Sequence, residues 1–374
     1  MIFSSKAICC NPPLIDRLTL FCFTGWRNSC KRTLIFFVFL LLIAANLKAQ
    51  ESTPFRLMFW NVENLFDCKH DTLKNDLEFL PTSMRNWSYG RYKKKLANVA
   101  RTITAVGEWV PPVLVGLCEV ENDSVLRDLT LYSPLKKEGY QYVMTNSPDK
   151  RGIDVALLYQ RGNFKLLSCE SLRISLPGEH SYPTRDILHV TGRIINNDTL
   201  DVFVVHLPSR LGGQKASEPN RVCVAERIKA VVDSLFFVRS FPKIVIMGDF
   251  NDYPENKSIS EVLEAVAPPN HPEPHHLYNL LASKAKDRNF GSYKYKGEWN
   301  LLDQLIVSGT FLTPDNHFYT NETKAHVARL PFLLIEDEKY GREQPFRTYN
   351  GIRYQGGFSD HLPVYVDFII GASE

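Results

Sequence analysis

The chain has 374 residues, of which 44% are hydrophobic and 23% are charged, and its formal net charge at pH 7 is +3. The first 50 residues hold six of the 44 basic and one of the 41 acidic residues, so residues 51–374 carry a net charge of −2. This balance does not support a strongly basic nucleic-acid-binding surface, although a local basic patch can exist on a near-neutral protein. Residues 51–374 suffice for one large core but are few for two enzyme domains.

The first 50 residues have the layout of a secretory signal peptide. Lys31 and Arg32 precede the apolar run Leu34–Ala45, and Ala49 closes a short exit segment before Gln50. The apolar run is short for a membrane span. We therefore expect a signal peptide over residues 1–50, a catalytic domain over the rest of the chain, and a secreted or periplasmic protein. A retained membrane anchor is the alternative.

Four of the eight cysteines lie beyond the predicted signal peptide. They are widely spaced and form no C-x-x-C pair, which indicates neither a zinc site nor a disulfide-rich scaffold: Cys68, Cys118, Cys169 and Cys223. We expect mostly buried thiols, with one disulfide as the alternative.

Apolar runs and helical patterns alternate along the chain. The runs predict strands at Phe55–Trp60, Val113–Cys118, Asp154–Tyr159, Phe164–Ile174, Ile187–Ile195, Leu200–Val205, Ile244–Met247, Leu302–Val307 and Val364–Ile369. Apolar spacings of three and four predict helices around Leu96–Val106, Ser124–Leu131, Ser217–Phe237 and Ile259–Ala267. Residues 310–330 have little pattern. Because strands occur both as hairpins and as helix-connected pairs, the sequence predicts an α/β fold of packed mixed sheets with helices outside.

One stretch stands out by its abrupt change of character. The apolar run Ile244–Met247 is typical of a strand covered on both faces, and it is followed by Asp249 and Asn251. Two residues apart in an extended chain, these side chains point to the same side and can address one oxygen or one hydrated cation. A structural turn is the alternative. An EF-hand loop is excluded because Pro254 and Ser260 replace its required Gly and Glu.

Polar side chains recur where apolar strands end. Strand ends that meet at one edge of a sheet form a cleft, so these residues are expected to share a site: Asn61, Glu63, Glu119, Asp154, His206, Asp249, Asn251, Asp303, Asp360 and His361. Carboxylates suit a hard cation such as Mg²⁺, and histidines with an acid partner suit phosphate contact or proton transfer.

A series of short motifs carries a family resemblance. In chain order they are Trp60-Asn61-Val62-Glu63, Cys118-Glu119-Val120, Gly152-Ile153-Asp154-Val155-Ala156, His206-Leu207-Pro208-Ser209-Arg210, Gly248-Asp249-Phe250-Asn251, Leu302-Asp303-Gln304 and Ser359-Asp360-His361-Leu362-Pro363. Together they resemble the endonuclease/exonuclease/phosphatase superfamily, which includes DNase I and the apurinic-site endonucleases. The match runs from about Phe55 to Ile369. It implies a DNase I-like four-layer α/β sandwich.

The resemblance implies a set of metal ligands. Glu119 resembles the principal ligand of the family, with Asn61 and Asp360 beside it. Glu63 resembles an additional ligand, and its alternative role is to cap a loop. The implied cofactor is Mg²⁺, with Mn²⁺ or Ca²⁺ as alternatives.

The resemblance also implies catalytic and substrate-binding residues. Asp249 and Asn251 resemble the pair that polarises the attacking water and holds the scissile phosphate. Arg185 resembles a further phosphate contact, although its Pro-Thr-Arg setting is only loosely similar.

Two histidines complete the implied site. His361, oriented by Asp303, and His206, oriented by Asp154, resemble the pair that contacts the phosphate. The alternatives are that Asp303 is a buried structural acid and that Asp154 caps a turn.

The implied activity is metal-dependent hydrolysis of a phosphoester, by a nuclease or another phosphodiesterase. A phosphatase acting on a small phosphorylated molecule, such as an inositol phosphate, is the alternative, and a non-catalytic binding module is the alternative of another class. The expected partner is the phosphoester substrate, with no protein partner, so we expect a monomer. Tyr293, Tyr295 and Trp299 either line the pocket or belong to the core.

Overall fold

The computed structural model describes residues 55–178, 182–313 and 317–371, so the predicted signal peptide lies outside the described residues. The α-helices are α1 (Tyr89–Gly107), α2 (Asp123–Tyr132) and α3 (Gln214–Val238). The longer strands are β1 (Phe55–Leu65), β2 (Leu114–Val120), β3 (Gln141–Met144), β4 (Asp154–Tyr159), β5 (Phe164–Leu172), β6 (Ile187–Ile194), β7 (Thr199–His206) and β8 (Ile244–Asp249). The remaining strands, in chain order, are β9 (Leu277–Asn279), β10 (Tyr293–Tyr295), β11 (Glu298–Asn300), β12 (Asp303–Ser308), β13 (Phe318–Tyr319), β14 (Ala325–Val327), β15 (Leu334–Glu336), β16 (Glu343–Pro345), β17 (Tyr349–Asn350), β18 (Arg353–Tyr354) and β19 (Val364–Ile370).

Thirteen of these strands form two large mixed sheets. The first has seven strands in the order β13-β19-β1-β2-β4-β3, with β14 also paired to β19, and the second has six in the order β5-β6-β7-β8-β12-β9. β1 is parallel to β2, and β7 is parallel to β8, whereas the other pairs are antiparallel. Glu119, His206 and Asp249 lie at the carboxyl ends of these parallel strands, whereas Asp303 begins β12 and His361 precedes β19.

Alternate residues of each strand face two different apolar layers. In β1, Leu57 and Phe59 pack with Met247 of the second sheet, whereas Met58 and Trp60 pack against the inner face of α1. The outer face of the second sheet packs in the same way against α3. Three apolar layers therefore join helix, sheet, sheet and helix, which confirms the predicted four-layer α/β sandwich.

Helix α1 shows why the sequence folds this way locally. Leu96, Val99 and Ile103 recur at helical spacing and are buried, so one face of α1 covers the first sheet. The helix ends at Gly107, and Pro111 and Pro112 follow it, because a proline cannot continue a helix. None of the helices in the described ranges combines the length and hydropathy needed to cross a membrane.

One predicted helix and one predicted burial pattern are wrong. The pattern at Ile259–Ala267 gives only a single wide turn, Ser258–Val262, because the backbone enters the left-handed region at Glu264, with φ of 56°. Among the described cysteines, only Cys118 is buried, and all four are free thiols. Cys169 lies in a run of exposed residues on the edge strand β5 and faces solvent.

The region with little sequence pattern is held by contacts distant in sequence. Strands β13 and β14 both pair with β19. The chain then forms two small hairpins, β15–β16 and β17–β18, before it returns to Asp360. This segment brings Arg347 and Thr348 beside the ends of the first sheet.

Candidate active site

A cleft of about 1020 Å³ opens where the parallel strands of both sheets end. Eight of the predicted site residues line it: Asn61, Glu119, Arg185, His206, Asp249, Asn251, Asp360 and His361. Glu63, Asp154 and Asp303 do not line the cleft and lie behind this lining. Three further histidines, His271, His275 and His276, do not line it either.

Asp249 lies at the centre of the site and joins the two sheets. Its Oδ2 accepts a hydrogen bond from the Asn61 side-chain amide at 3.1 Å, and its Oδ1 accepts from the Asn251 backbone N–H at 2.9 Å. Burial raises the pKa of Asp249 to about 7, although the nearby positive charge of His361 opposes the rise. A carboxylate with this pKa can take a proton from water near neutral pH.

The second acid forms the predicted pair with a histidine. Asp303 is completely buried, and its Oδ2 lies 2.7 Å from Nδ1 of His361 and accepts a hydrogen bond from the Ser292 hydroxyl at 2.5 Å. Burial lowers the pKa of His361, but the negative charges of Asp303 and Asp249 outweigh burial and raise it to about 10. His361 is therefore held as a cation, with Nε2 3.8 Å from Asp249 Oδ2.

The other predicted pair is wrong, because Asp154 does not orient His206. Asp154 accepts hydrogen bonds from the Thr145 hydroxyl at 2.5 Å and from the Ser147 backbone N–H at 2.8 Å, as a turn cap does. Nδ1 of His206 has no hydrogen-bond partner among the described residues, and its Nε2 lies 3.7 Å from Asp249 Oδ2. Asp154 begins β4 of the first sheet, whereas His206 ends β7 of the second sheet.

His206 differs from His361 in charge. Burial lowers the pKa of His206 well below its ordinary value, and the charge of Arg185 adds to this effect. His206 is therefore neutral where His361 is a cation. The site thus holds one imidazole suited to hydrogen bonding and one imidazolium suited to an anion.

Arg185 is fixed at the cleft by two partners. Its guanidinium donates to the Leu207 carbonyl at 2.7 Å and lies 3.3 Å from Asp149 Oδ2. Asp149 belongs to the loop that Asp154 caps, so Asp154 supports the position of Arg185 indirectly. The contacts of Asp154 therefore match the alternative prediction, in which Asp154 caps a turn.

Glu119 stands on strained backbone at the end of β2. Its φ of 60° lies in the left-handed region, which a non-glycine residue rarely adopts, and Asn64 opposite it has φ of 55°. Glu119 Oε2 accepts a hydrogen bond from the Asn64 backbone N–H at 2.9 Å and lies 3.5 Å from a guanidinium nitrogen of Arg151. Such strain is typical of residues whose direction matters for function.

The oxygen donors at this end of the cleft fit a hard divalent cation. Asn61, Glu119 and Asp360 line the cleft with one amide and two carboxylates, the donor set that Mg²⁺ prefers. Ligand atoms of Asp249, Asp303 and His361 also lie within 4.8 Å of one another. That trio is a poor metal cage, because Asp303 and the Nδ1 of His361 are already bonded to each other.

Glu63 contacts the segment that follows β16. Its Oε2 accepts a hydrogen bond from the Thr348 backbone N–H at 2.6 Å, which favours the predicted alternative that Glu63 holds a loop. Burial raises the pKa of Glu63 to about 7, and the charge of Asp360 adds to the rise while that of Lys95 opposes it. Sequence reasoning missed Lys95 and Arg347, which belong to none of the motifs.

Asn251 is held by residues that sequence reasoning also missed. Its φ is 50°, and its carbonyl accepts a hydrogen bond from Arg210 Nε at 2.6 Å. The next residue, Asp252, lies 2.8 Å from Nε of the buried Arg221 as an ion pair without the alignment of a hydrogen bond. The Arg210 guanidinium also lies 3.9 Å from the centroid of the Tyr253 ring. Arg210 could have been found from the sequence, because it belongs to the motif that begins at His206. Arg221 belongs to no motif.

The cationic side chains of the cleft are mostly neutralised by the chain itself. Three arginines line it, and each lies within ion-pair distance of a carboxylate: the pairs are Arg151–Glu119 at 3.5 Å, Arg185–Asp149 at 3.3 Å and Arg210–Asp252 at 3.6 Å. Lys150 is the one cleft cation without an ion pair to a described residue. The cleft therefore has no continuous track of free positive charge along its described wall.

Tyrosine rings form much of the remaining wall. Tyr182, Tyr253, Tyr293 and Tyr295 line the cleft, and the Tyr293 ring lies 4.9 Å from the His361 ring. Trp299 is 9% exposed and belongs to the core instead. The sequence left Tyr293, Tyr295 and Trp299 as either pocket or core residues. The two tyrosines line the pocket, and the tryptophan packs in the core.

Residues 56–369 match the sequence model described as the Endonuclease/Exonuclease/phosphatase family. The chain belongs to this family. Family membership supports hydrolysis of phosphoester bonds as the general class of activity, and family members generally use divalent metals. No curated protein matches the chain.

Solved structures share the fold of this endonuclease/exonuclease/phosphatase family member. A mannosyl-6-phosphatase from Bacteroides thetaiotaomicron VPI-5482 is 15% identical with a TM-score of 0.54, over 84% of this chain and 99% of that chain. A family protein from Bacteroides thetaiotaomicron is 16% identical with a TM-score of 0.55, over 86% and 100%. A functionally unknown conserved protein from Enterococcus faecalis V583 is 15% identical with a TM-score of 0.51, over 85% and 100%.

Proposed function

We propose that this protein is a Mg²⁺-dependent hydrolase that cleaves the phosphoester of a small phosphorylated molecule. The observation that carries the proposal is the setting of Asp249, which faces the cleft between Asn61, His206 and His361. A general base, a neutral imidazole and an imidazolium meet there beside a set of hard oxygen donors. This combination suits in-line attack of water on a phosphorus atom.

Each residue has a task in the proposed reaction. Asp249 accepts a proton from the attacking water, while the bond from water to phosphorus forms and the ester bond to phosphorus breaks, and the departing oxygen takes a proton from solvent water and leaves as the alcohol. Asn251 keeps one amide hydrogen for a phosphoryl oxygen, because its other one is donated to the Leu207 carbonyl at 3.1 Å. His361 donates from Nε2 to a second phosphoryl oxygen, and its bond to Asp303 fixes the ring.

Asn61, Glu119 and Asp360 would hold the metal. When bound, Mg²⁺ supplies positive charge that neutralises the phosphoryl oxygens. His206 stays neutral and completes the polar wall beside Asp249. In this proposal the predicted metal ligand Glu63 acts as a support for the segment around Thr348.

The charge of the cleft supports a small substrate over a long nucleic acid. Binding along a nucleic-acid backbone depends on several free Lys and Arg contacts to phosphates. Here Arg185 and Arg210 are ion-paired to Asp149 and Asp252, which leaves Lys150 and Arg151, beside the proposed metal ligand Glu119, as the remaining cations of the described cleft wall. The tyrosine walls suit the ring of a sugar or inositol bearing the phosphate.

Phosphate release from a substrate panel tests the proposal. The panel contains sugar phosphates, inositol phosphates, nucleotides, phospholipid head groups, RNA and plasmid DNA, each with Mg²⁺ and with EDTA. We expect Mg²⁺-dependent release from a small phosphomonoester and none from the Asp249→Asn variant. Preferred cutting of plasmid DNA or RNA would favour the nuclease alternative. No phosphate release and no cleavage of any member of the panel would favour the binding module.

The compartment is a separate proposal. Lys31, Arg32 and the apolar run Leu34–Ala45 support export of the protein as a secreted or periplasmic enzyme. Fractionation of cells that express the full chain, followed by amino-terminal sequencing, tests it. Recovery of an uncleaved chain in the membrane fraction would favour the anchor alternative.

A further inference from the structure

One wall of the cleft is part of the loop between β3 and β4, and we call its three cleft-lining residues, Asp149, Lys150 and Arg151, the loop wall. Asp149 is buried, whereas Lys150 and Arg151 are exposed at the turn. Asp149 Oδ2 lies 3.3 Å from a guanidinium nitrogen of Arg185, so the direction of Arg185 depends on this loop. A loop without regular structure keeps such a position only where its backbone is held.

Lys74, which belongs to no motif in the sequence, holds the backbone of this loop. Its Nζ donates to the Ser147 carbonyl at 2.7 Å and to the Asp149 carbonyl at 3.0 Å. The backbone N–H of the next residue, Asn75, donates to the Lys150 carbonyl at 2.7 Å. Hydrogen bonds from an ammonium are stronger than those between neutral groups. The loop wall is therefore tied to a segment that lies far from it in the sequence.

The stem of Lys74 packs where the loop turns. Gly152 has φ of 76°, and a Cβ atom at this position would lie 3.0 Å from Cγ of Lys74. The aliphatic stem thus covers the backbone at Gly152 closely. Burial raises the pKa of Asp154, which caps the same loop, and the charge of Lys74 opposes the rise. Lys74 and Asp154 therefore hold the loop together, one as a donor and the other as an acceptor.

A short turn fixes the direction of Lys74 itself. Asp76 is only 2% exposed, and its Oδ1 lies 2.5 Å from Nδ1 of His70, while its Oδ2 accepts a hydrogen bond from the Asp71 backbone N–H at 2.7 Å. The Lys74 backbone N–H donates to the Asp71 carbonyl at 2.9 Å. The turn is therefore shaped by its own residues, and the ammonium reaches the loop from a fixed base.

We propose that Lys74 is a positioning residue for substrate binding, which fixes the loop wall and, through Asp149, the guanidinium of Arg185. This inference deepens the proposed function and rests on it. Lys74 does not line the cleft, so it acts through the loop wall. The reacting groups Asp249 and His361 have their hydrogen-bond partners outside this loop. Loss of the Lys74 ammonium therefore weakens binding of the substrate and leaves the chemical step nearly unchanged.

The kinetics of Lys74→Met on the best phosphoester of the panel test this inference. The substitution keeps an aliphatic stem over Gly152 and removes the donor. We expect KM to rise about tenfold, the scale of one hydrogen bond to a charged group, with little change in kcat. Lys69→Met is the matched control and should keep both constants. Lys69 is exposed in the same segment, and its side chain has no hydrogen bond or ion pair to a described residue.

Limited digestion with trypsin measures the hold on the loop without any substrate. Trypsin cleaves after lysine and arginine, so Lys150 and Arg151 offer it two sites at the exposed turn. Cleavage of a folded chain follows the population of its locally opened form. We expect cleavage at these two sites, assigned by mass spectrometry, to be faster in Lys74→Met than in the wild type or in Lys69→Met.

The outcomes separate this inference from the proposed function. A folded Lys74→Met chain whose KM or whose loop cleavage is unchanged would overturn the inference and leave the proposed function standing. If the wild type hydrolyses no member of the panel, the proposed function is overturned and the cleavage rates decide the inference. Equal rates for Lys74→Met and Lys69→Met then count against it, and a faster rate for Lys74→Met supports it. If Lys74→Met does not fold by circular dichroism, Lys74→Gln is measured in its place with the same expectation.

Discussion

The Asp303 carboxylate and the His361 ring, 58 residues apart in the chain, lie 2.7 Å from each other in the interior. Asp303 begins β12 in the second sheet, and His361 precedes β19 in the first, so this contact ties the two sheets together at the cleft. The sequence predicted the pair, and the structure confirms the contact. The pair relieves the cost of burying a carboxylate and keeps the imidazole charged.

The first prediction concerns the pH profile of the wild type. Because Asp249 works as the base only when ionised, we expect kcat/KM to rise as the pH increases through about 7, the pKa that burial gives this carboxyl group. Because His361 works as a cation, kcat/KM should fall again as the pH increases through about 10. Initial rates on the best phosphoester of the panel measure both limbs. A profile flat through neutral pH would contradict the role of Asp249.

The second prediction concerns Asp303→Asn. The substitution removes the largest charge that raises the pKa of His361, so the imidazole loses its proton at lower pH than in the wild type. We expect the alkaline limb of kcat/KM to move to lower pH and the activity at neutral pH to fall by about 10²-fold, the scale of losing one electrostatic contact. Circular dichroism checks the fold. An unmoved alkaline limb in a folded variant would rule out the pair as the source of the imidazolium.

The third prediction concerns the proposed metal ligand at the end of β2. Glu119→Gln keeps the size of the side chain but removes its charge, and we expect turnover to fall by at least about 10²-fold. Glu170→Gln is the control, because Glu170 is exposed on β5 away from the cleft. Equal turnover of the two purified variants would show that Glu119 has no role in the reaction.

The fourth prediction concerns metal and stability. A ligand that binds only the folded chain stabilises it by about 2.7 kcal/mol at a concentration of about 100 times Kd. We therefore expect Mg²⁺ to raise the melting temperature of the wild type, EDTA to reverse the rise, and Glu119→Gln to lose most of it. Calorimetry with Ca²⁺ and Mn²⁺ compares the alternative ions. A melting temperature indifferent to every divalent cation would contradict the metal site.

The fifth prediction concerns the support of Asn251. Arg221 and Asp252 form a buried ion pair, so Arg221→Met leaves the Asp252 carboxylate with only the more distant guanidinium of Arg210, at 3.6 Å. Breaking such a pair destabilises a protein by about 3–5 kcal/mol, which we expect to see as a lower midpoint of urea unfolding. Arg227→Met, at an exposed position of the same helix, is the control and should leave the midpoint almost unchanged. Similar midpoints for both variants would show that the pair is not needed for the fold.

Some of the site could be predicted because its residues follow strands with strong local patterns. Asp249 follows a fully apolar run after one glycine, and its direction is set by the strand it ends. Strand ends that lie side by side bring their polar residues together, whichever loops connect them. Eight of the predicted residues line the cleft for this reason.

The pairing of His206 with Asp154 failed for a geometric reason. Position at a strand end places a residue at the edge of a sheet but does not say where its side chain points or which sheet lies opposite. Asp154 turns toward Thr145 and Ser147, which lie in its own connecting loop. The local hydrogen bonds of a turn therefore took precedence over the distant partner.

The sequence by itself determined the layers, most of the strands and the chemical types at the cleft, because burial imposes a period on each element and strand ends collect polar residues. Only the tertiary structure decided which acids are neutralised and by which cations. Lys95 and Thr348 are 253 residues apart, and Arg347 reaches Asp360 from a segment with little local pattern. Contacts of this kind depend on side-chain direction in three dimensions, so no local period or spacing along the chain encodes them.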